Sequence, residues 1–279
     1  MFVIPTSYKL ALARFIYLGV TGFRRLIGEG PLVVVNRAGF RWALDLREAI
    51  DLYIYLRGRF EPQTVAAQQG IVRTGDTVVD VGANMGAHTL WLAKFVGPSG
   101  RVIAFEPTLD AFRRLKQNIA LNPDLGPRID ARQMMIVAES GQKVEAKIYA
   151  SWRADRRPPP DAHHLHQGIP VSTAGAQAAT LDEAVKDAGR ISLIKLDVDG
   201  HELNVLIGAR ATLIRDHPTI VMEYAPYTLR ERGQDPNDLI RLLSGLGYRF
   251  FGLDGRLLQA GGPGGISLPE GASINIVAA

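Results

Sequence analysis

The stretch Val78-Val79-Asp80-Val81-Gly82-Ala83-Asn84-Met85-Gly86 decides the fold. Thr77, Val78 and Val79 are β-branched and read as a short buried strand. Gly82 and Gly86 bracket a tight turn, and Ala87 to Phe95 has helical composition. A strand, a glycine-bearing turn and a helix N-terminus together make a nucleotide-cradling geometry. The dinucleotide fingerprint G-x-G-x-x-G is not met, because Asn84 holds its middle position and no third glycine follows in phase. Asp80 stands just before the turn, where its charge repels a pyrophosphate and attracts a cation. A ligand with a sulfonium and no phosphate, as in S-adenosylmethionine, suits that arrangement.

Downstream, Gly97-Pro98-Ser99-Gly100 breaks the helix, and Val102 to Phe105 reads as a second strand ending at Glu106-Pro107. Glu106 lies about twenty residues beyond Gly86, where doubly wound folds place the acid that binds ribose hydroxyls. Asp110 to Leu121 reads as a helix with Phe112, Leu115 and Ile119 on one face. Arg132 to Val137 reads as the third strand and Lys147 to Tyr149 as a further one. Ser151 to Ala179 has no periodicity and reads as a long loop carrying His163, His164 and His166. Loops of that length in a domain are functional or disordered, so it is expected to be a lid over the acceptor, with solvent-facing histidines and no metal. After a short helix from Leu181, Ile191 to Leu196 is a buried strand. It runs into Asp197-Val198-Asp199-Gly200-His201-Glu202, the densest titratable cluster in the chain. Leu203 to Leu213 reads as one helix, Thr219 to Met222 as a strand ending in Glu223, and Pro236 to Leu246 as a helix. Tyr248 to Gly252 and Ser273 to Val277 are the last two strands, joined through the loop Gly261 to Gly265 with no helix between them.

Strands alternating with helices predict an α/β fold, a doubly wound Rossmann-like sheet that is mostly parallel with an antiparallel edge strand. Asp80, Glu106, Asp197 and Glu223 all fall at carboxyl ends of strands, where such sheets bind ligands. Acidic residues near helix N-termini also stabilise the helix dipole; one such coincidence is unremarkable, four together favour a site.

The 279-residue chain is 47% hydrophobic, which supports a real core, and its net charge of +4 tolerates an anionic partner without demanding one. No cysteine is present, which excludes a disulfide framework, thiolate metal sites and a cysteine nucleophile. Leu10 to Val20 is apolar, but Lys9, Arg14, Arg24 and Arg25 leave no charge-free run of the roughly 20 residues a spanning helix needs. A helix packed on the main domain is the first reading, with an interfacial helix on an anionic membrane the second. Leu32 to Val35 and Phe40 to Leu44 read as a hairpin, and Gln63 to Gln69 as a helix. Residues 1–70 are thus expected to form an N-terminal helical and hairpin cap on a main domain spanning 71–279, in a protein placed by default in the cytoplasm.

The ordered set DVGANMG (Asp80 to Gly86), AFEP (Ala104 to Pro107), Asn118 and Asn122, TLDEAV (Thr180 to Val185) and IKLDVDGHELNVLIGA (Ile194 to Ala209) resembles the FkbM-type S-adenosylmethionine-dependent methyltransferases, roughly from Phe60 to Glu223. The resemblance implies a class I methyltransferase sheet and O-methylation of sugars, polyketides or related metabolites. It implies that Asp80, Gly82, Asn84 and Gly86 hold the methionine portion of the cofactor and Glu106 the ribose. Met135 to Glu139 falls where adenine is approached. Asp199 stands where that family more often has glutamate.

Methyl transfer to an alcohol needs alignment of the reacting atoms and a base for the hydroxyl proton. Asp199 or His201 is the expected base and Asp197 the group nearest the cofactor amine. Glu202 reads equally well as a helix cap. A second version places a divalent cation on Asp197, Asp199 and Glu223; the metal-free version ranks first. The expected partner is a small-molecule acceptor. Nucleic-acid methylation ranks below it, because Asp197 to Gly200 replaces the N/D-P-P-Y/F-type motif and the arginines are dispersed. A non-catalytic, membrane-associated cofactor-binding protein and a nicotinamide-dependent oxidoreductase rank lower still.

Overall fold

A valine- and isoleucine-rich sheet, buried on both faces, organises the computed structural model, which describes residues 6–150, 153–155, 162, 168–258 and 268–279. Ahead of the sheet come α1 (Thr6–Leu26), the strands β1 (Leu32–Arg37) and β2 (Phe40–Asp45), α2 (Ala49–Arg57) and α3 (Pro62–Ile71). The expected hairpin forms, with Arg37 opposite Phe40 and both turn residues, Ala38 and Gly39, at positive φ, the twist that a two-residue hairpin requires. The apolar positions of Tyr53 to Arg59 belong to α2, a helix that the sequence reading did not identify.

The main fold continues through β3 (Thr77–Val81), α4 (Thr89–Phe95), β4 (Arg101–Phe105), α5 (Leu109–Ala120), β5 (Ile129–Arg132), β6 (Met134–Ile136), β7 (Lys147–Ala150), β8 (Ile169–Ser172) and β9 (Gln177–Ala179). It ends with α6 (Leu181–Ala184), β10 (Ile191–Leu196), α7 (Glu202–Ile207), α8 (Arg210–Asp216), β11 (Thr219–Tyr224), α9 (Pro226–Glu231), α10 (Pro236–Gly245), β12 (Phe250–Gly252) and β13 (Ile274–Ala278). Seven strands run in the order β12-β13-β11-β10-β3-β4-β5. All are parallel except β13, which runs antiparallel between β11 and β12 and makes the expected antiparallel edge. Val79, Val81, Ile103 and Phe105 face one side of the sheet; Val78, Val102, Leu193 and Val221 face the other. Burial on both faces is why these strands read as continuous apolar runs. The chain order reverses between β3 and β10, so their carboxyl ends open a crevice, the usual ligand position in such sheets.

Three expectations need correction. The third sheet strand is Ile129–Arg132, pairing Val102 with Ile129 and Phe105 with Arg132, whereas Met134–Ile136 leaves the sheet and pairs with β9. The loop expected over Ser151 to Ala179 contains β8 and β9, the former paired with β7; His163, His164 and His166, like Gly261 to Gly265, lie outside the described residues. The single helix expected over Leu203 to Leu213 is two. A side chain on Gly208 would meet the Val137 carbonyl at 2.2 Å, so the backbone crosses here in close contact. Asp182 of α6 then caps α8, accepting from the backbone N–H groups of Ala211 (2.8 Å) and Thr212 (2.7 Å). A cap supplied from another helix leaves no mark on local periodicity.

Asn118 and Asn122 tie the sheet to the hairpin. The Asn118 side chain accepts from Ala43 N–H (2.8 Å) and donates to the Met85 carbonyl (2.9 Å), while Asn122 exchanges bonds of 3.0 and 2.8 Å with the Arg41 backbone. Asn118 is fully buried. Replacing Asn118 with Ala orphans a part-buried N–H and a buried C=O, so urea unfolding is expected to show a loss of about 1–3 kcal/mol; an unchanged midpoint would contradict the anchoring.

Candidate functional site

A cavity of about 620 Å³ opens at the carboxyl ends of β3, β4, β10 and β11, within the usual range for small-molecule sites. One side is walled by Gly82 to Asn84, Glu106 and Met134 to Ile136; the other by Asp197 to Asp199, His201, Glu223 and Tyr227. Ile16, Ile50, Tyr53, Phe60 and Glu61, all ahead of the sheet, complete it.

The turn after β3 is shaped by close approach. Gly82 has φ +81°, and a Cβ on it would sit 1.9 Å from the Asp197 carbonyl oxygen, so only glycine fits between the ends of β3 and β10. The N–H groups of Gly82 and Ala83 both donate to the Phe105 carbonyl at 3.0 Å. Asn84 takes φ +48°, a left-handed conformation that asparagine tolerates better than most residues. Its side-chain oxygen accepts from Met85 N–H at 2.7 Å and its own N–H donates to Glu106 Oε2 at 2.9 Å. Gly86, at φ +98°, packs on Leu115 behind the turn.

Glu106 is buried, and its Oε1 accepts from the Thr108 backbone N–H (2.8 Å) and hydroxyl (2.5 Å). Burial pushes its carboxyl above the ordinary value, opposed by the donors from Thr108 and Asn84. These three bonds fix the carboxylate and leave acceptor capacity for one further donor.

Asp80 and Gly86 do not line the cavity. Asp80 is fully buried and accepts from the Thr89 hydroxyl at 2.6 Å. Its other oxygen lies 3.7 Å from Lys195 Nζ. Lys195, which sequence reading missed, is only 5% exposed at its side chain. It also reaches the Gly82 carbonyl (3.2 Å) and Asp197 (3.4 Å). Burial works against the charged ammonium, yet Asp197, Asp80 and Glu61 together hold its pKa above the ordinary value. The register places Lys195 directly opposite Asp80. An apolar-run reading of Ile191 to Leu196 absorbed this lysine, although its position two residues before Asp197 was a usable signal.

Asp197, Asp199 and Glu223 bring carboxylate oxygens within 4.8 Å of one another. Asp199 sits in the left-handed region at φ +48°, a conformation the shorter aspartate accepts more readily than glutamate. Asp199 is exposed and lines the cavity; desolvation of its carboxyl among the cavity walls, with the charges of Asp197 and Glu202, pushes it up to about 8. Glu223 is raised well above its usual range by burial and by Asp197 and Asp199, although Ser273 donates to it. His201 is held neutral, its pKa lowered to about 3 by burial and the nearby Arg232; its Nε2 is buried without a hydrogen bond, 3.7 Å from Glu145. Glu202 does not line the cavity; it accepts from the N–H groups of Val198 (3.1 Å) and Gly200 (3.3 Å), which braces the turn ahead of α7 and is not a helix cap.

Two more residues join the cavity without having been singled out. Glu61 is 3.5 Å from His88 Nε2; burial opposes its charge, but the imidazole of His88 beside it holds its pKa down at about 2. Tyr227 presents a hydroxyl whose pKa burial raises, reinforced by Glu223 and Asp199.

The family model described as the Methyltransferase FkbM domain matches residues 80–250, more than half of the chain. No curated protein matches the chain. Among solved structures, a methyltransferase FkbM from Methylobacillus flagellatus aligns at 17% identity and TM-score 0.47, covering 81% of this chain and 50% of that one. The chain thus spans half the length of that relative. An S-adenosylmethionine-dependent O-methyltransferase from Thermotoga maritima aligns at 13% identity and TM-score 0.43, covering 91% and 80%. An O-methyltransferase from Bacillus cereus, in complex with S-adenosylhomocysteine, aligns at 13% identity and TM-score 0.44, covering 78% and 80%.

Replacing Lys195 with Met strips the countercharge from Asp80 and Asp197. Denaturant unfolding at neutral pH is expected to show a loss of about 3–5 kcal/mol, the cost of breaking a buried pair from one side. Wild-type stability in this variant would mean that the carboxylates are balanced elsewhere.

Proposed function

The chain belongs to the methyltransferase FkbM domain family, and on that premise we propose that it transfers a methyl group from S-adenosylmethionine to a hydroxyl of a sugar, polyketide or other small metabolite. The observation that carries this reading is the cavity's two-sided build: a glycine turn with a fixed carboxylate on one side, a carboxylate cluster on the other. S-adenosylmethionine supplies an electrophilic methyl carried on a cationic sulfur. The wall carries the carboxyl groups of Glu61, Glu106, Asp197, Asp199 and Glu223, and the ammonium of Lys195 is already engaged by Asp80, Asp197 and the Gly82 carbonyl, a setting that leaves little to hold a pyrophosphate and suits a sulfonium.

In this reading, Gly82 and Asn84 border the methionine portion, Glu106 accepts from the ribose, and Met134 to Ile136 provide an apolar wall for adenine. Asp197 lies nearest the cofactor amine. Asp80 and Gly86 shape the turn from behind. Residues 71–279 form the cofactor-binding domain, and residues 1–70 are a cap over the acceptor end. Asp199 is the base: with its pKa near neutrality it can take the hydroxyl proton and release it to water. His201, held neutral, is the poorer base and orients the acceptor.

A cation held by Asp197, Asp199 and Glu223 is the second reading, favoured by their mutual approach. The metal-free reading is preferred because Asp197 already pairs with Lys195 and Glu223 with Ser273.

Calorimetry is expected to show binding of S-adenosylhomocysteine and none of NAD, with Glu106→Ala weakening the former roughly tenfold to a hundredfold, as loss of a bond to a charged acceptor implies. NAD binding without S-adenosylhomocysteine binding would reverse the reading. In methyl-transfer assays across a sugar and polyketide panel, read by mass spectrometry, one class should gain an O-methyl group with no loss on chelation. Because the base acts deprotonated, kcat/KM should rise with pH through about 8 and then level. Asp199→Asn should lower it about a hundredfold to ten-thousandfold; a flat wild-type profile would remove Asp199 from that role.

A further inference from the structure

The N-terminal 60 residues concentrate two properties that the rest of the chain lacks. They hold nine basic and four acidic side chains, an excess of +5 that exceeds the +4 of the whole protein. They also hold nine of the twelve large hydrophobic side chains that are exposed among the described residues. α1 carries no acidic residue along its 21 positions. One of its faces packs inward, with Tyr17 and Val20 against Leu52 and Ala154. Phe15, Leu18 and Leu26 follow one another at helical spacing on the opposite face, with Phe15 78% and Leu26 85% exposed. Phe23 and Ile27 stand exposed beside them, and Arg25, in the last turn, is also exposed. A helix that is apolar on both faces calls for a cover on each.

We propose that this outer face of the cap docks on an anionic lipid bilayer. An apolar helix face bearing phenylalanine and leucine, beside arginine and in a segment of net positive charge, is what lies in the interface of an anionic membrane. A neutral protein surface would cover the apolar side chains but leave the positive excess without a counterpart. Among the described residues no helix is long and apolar enough to cross a membrane, so the contact is a surface one. The adjoining α1 residue Ile16 and the α2 residues Ile50 and Tyr53 line the cavity. A docked cap therefore holds the acceptor end about one helix diameter, ~10 Å, from the lipid.

Co-sedimentation of the full chain with phosphatidylcholine vesicles, with and without phosphatidylglycerol, tests this without reference to methyl transfer. Binding is expected to the phosphatidylglycerol vesicles, falling as salt rises. Phe15→Ser and Leu18→Ser, both exposed, should each weaken it roughly tenfold while thermal unfolding is unchanged. Arg25→Gln should weaken it roughly fivefold. No binding to the phosphatidylglycerol vesicles would overturn the proposal. So would a dimer in sedimentation velocity that Phe15→Ser dissociates, since a second copy would then be the cover.

Discussion

One ammonium group holds the site together. Lys195 lies opposite Asp80 in the pairing of β10 with β3 and reaches the Gly82 carbonyl and Asp197 from the same position. Asp80 is fully buried, and a lone buried carboxylate is costly unless paired. The pairing therefore fixes the ends of two strands and the first residue of the glycine turn relative to one another. Gly82 completes the constraint from the backbone side, since its approach to the Asp197 carbonyl leaves no room for a side chain. Strand register, turn conformation and the place of the carboxylate cluster are thus one constraint, set at the point where the sheet reverses its order.

That constraint also separates the acids by character. Glu61 is kept ionised by His88 although it is enclosed, whereas Asp199 and Glu223 are pushed upward by desolvation and by the charge of Asp197. Carboxylates whose environments drive their pKa values apart divide into fixed charges and proton carriers. Here Glu61 is the fixed charge, acting on Lys195, and Asp199, poised near neutrality, faces the cavity. His201, the titratable residue with the most usual catalytic chemistry, is held neutral by its burial beside Arg232.

Much of this was legible in the sequence because strands buried on both faces leave uninterrupted apolar runs, and the acids that follow them mark the crevice. Glu106, Asp197, Asp199 and Glu223 were found in that way. Asp80 was found too, but its direction was not: a residue inside a strand alternates faces, and only the sheet register shows that it meets Thr89 and Lys195 and not the cavity. The third strand was misplaced because Ile129 to Arg132 and Met134 to Ile136 are separated by one residue, Gln133, and both look like strand. Helix α8 was hidden because its cap comes from Asp182. Lys195 was missed because one charge within an apolar run carries no periodic signal; its importance comes from two long-range partners, Asp80 and the Gly82 carbonyl.

The family match begins at Asp80, while Ile16, Ile50, Tyr53, Phe60 and Glu61 in the cavity wall all precede it. The matched region contains the turn, Glu106 and the carboxylate cluster. The unmatched region builds the opposite wall and is sewn on by Asn118 and Asn122, two side chains of the matched region bonded to the β2 backbone. Backbone partners make that seam indifferent to the side chains of β2. A cap can therefore change its sequence, and with it one wall of the cavity, while keeping its attachment. The turn and the carboxylates are then legible from short motifs, whereas the cap's share of the cavity wall lies in a segment whose residues are free to differ.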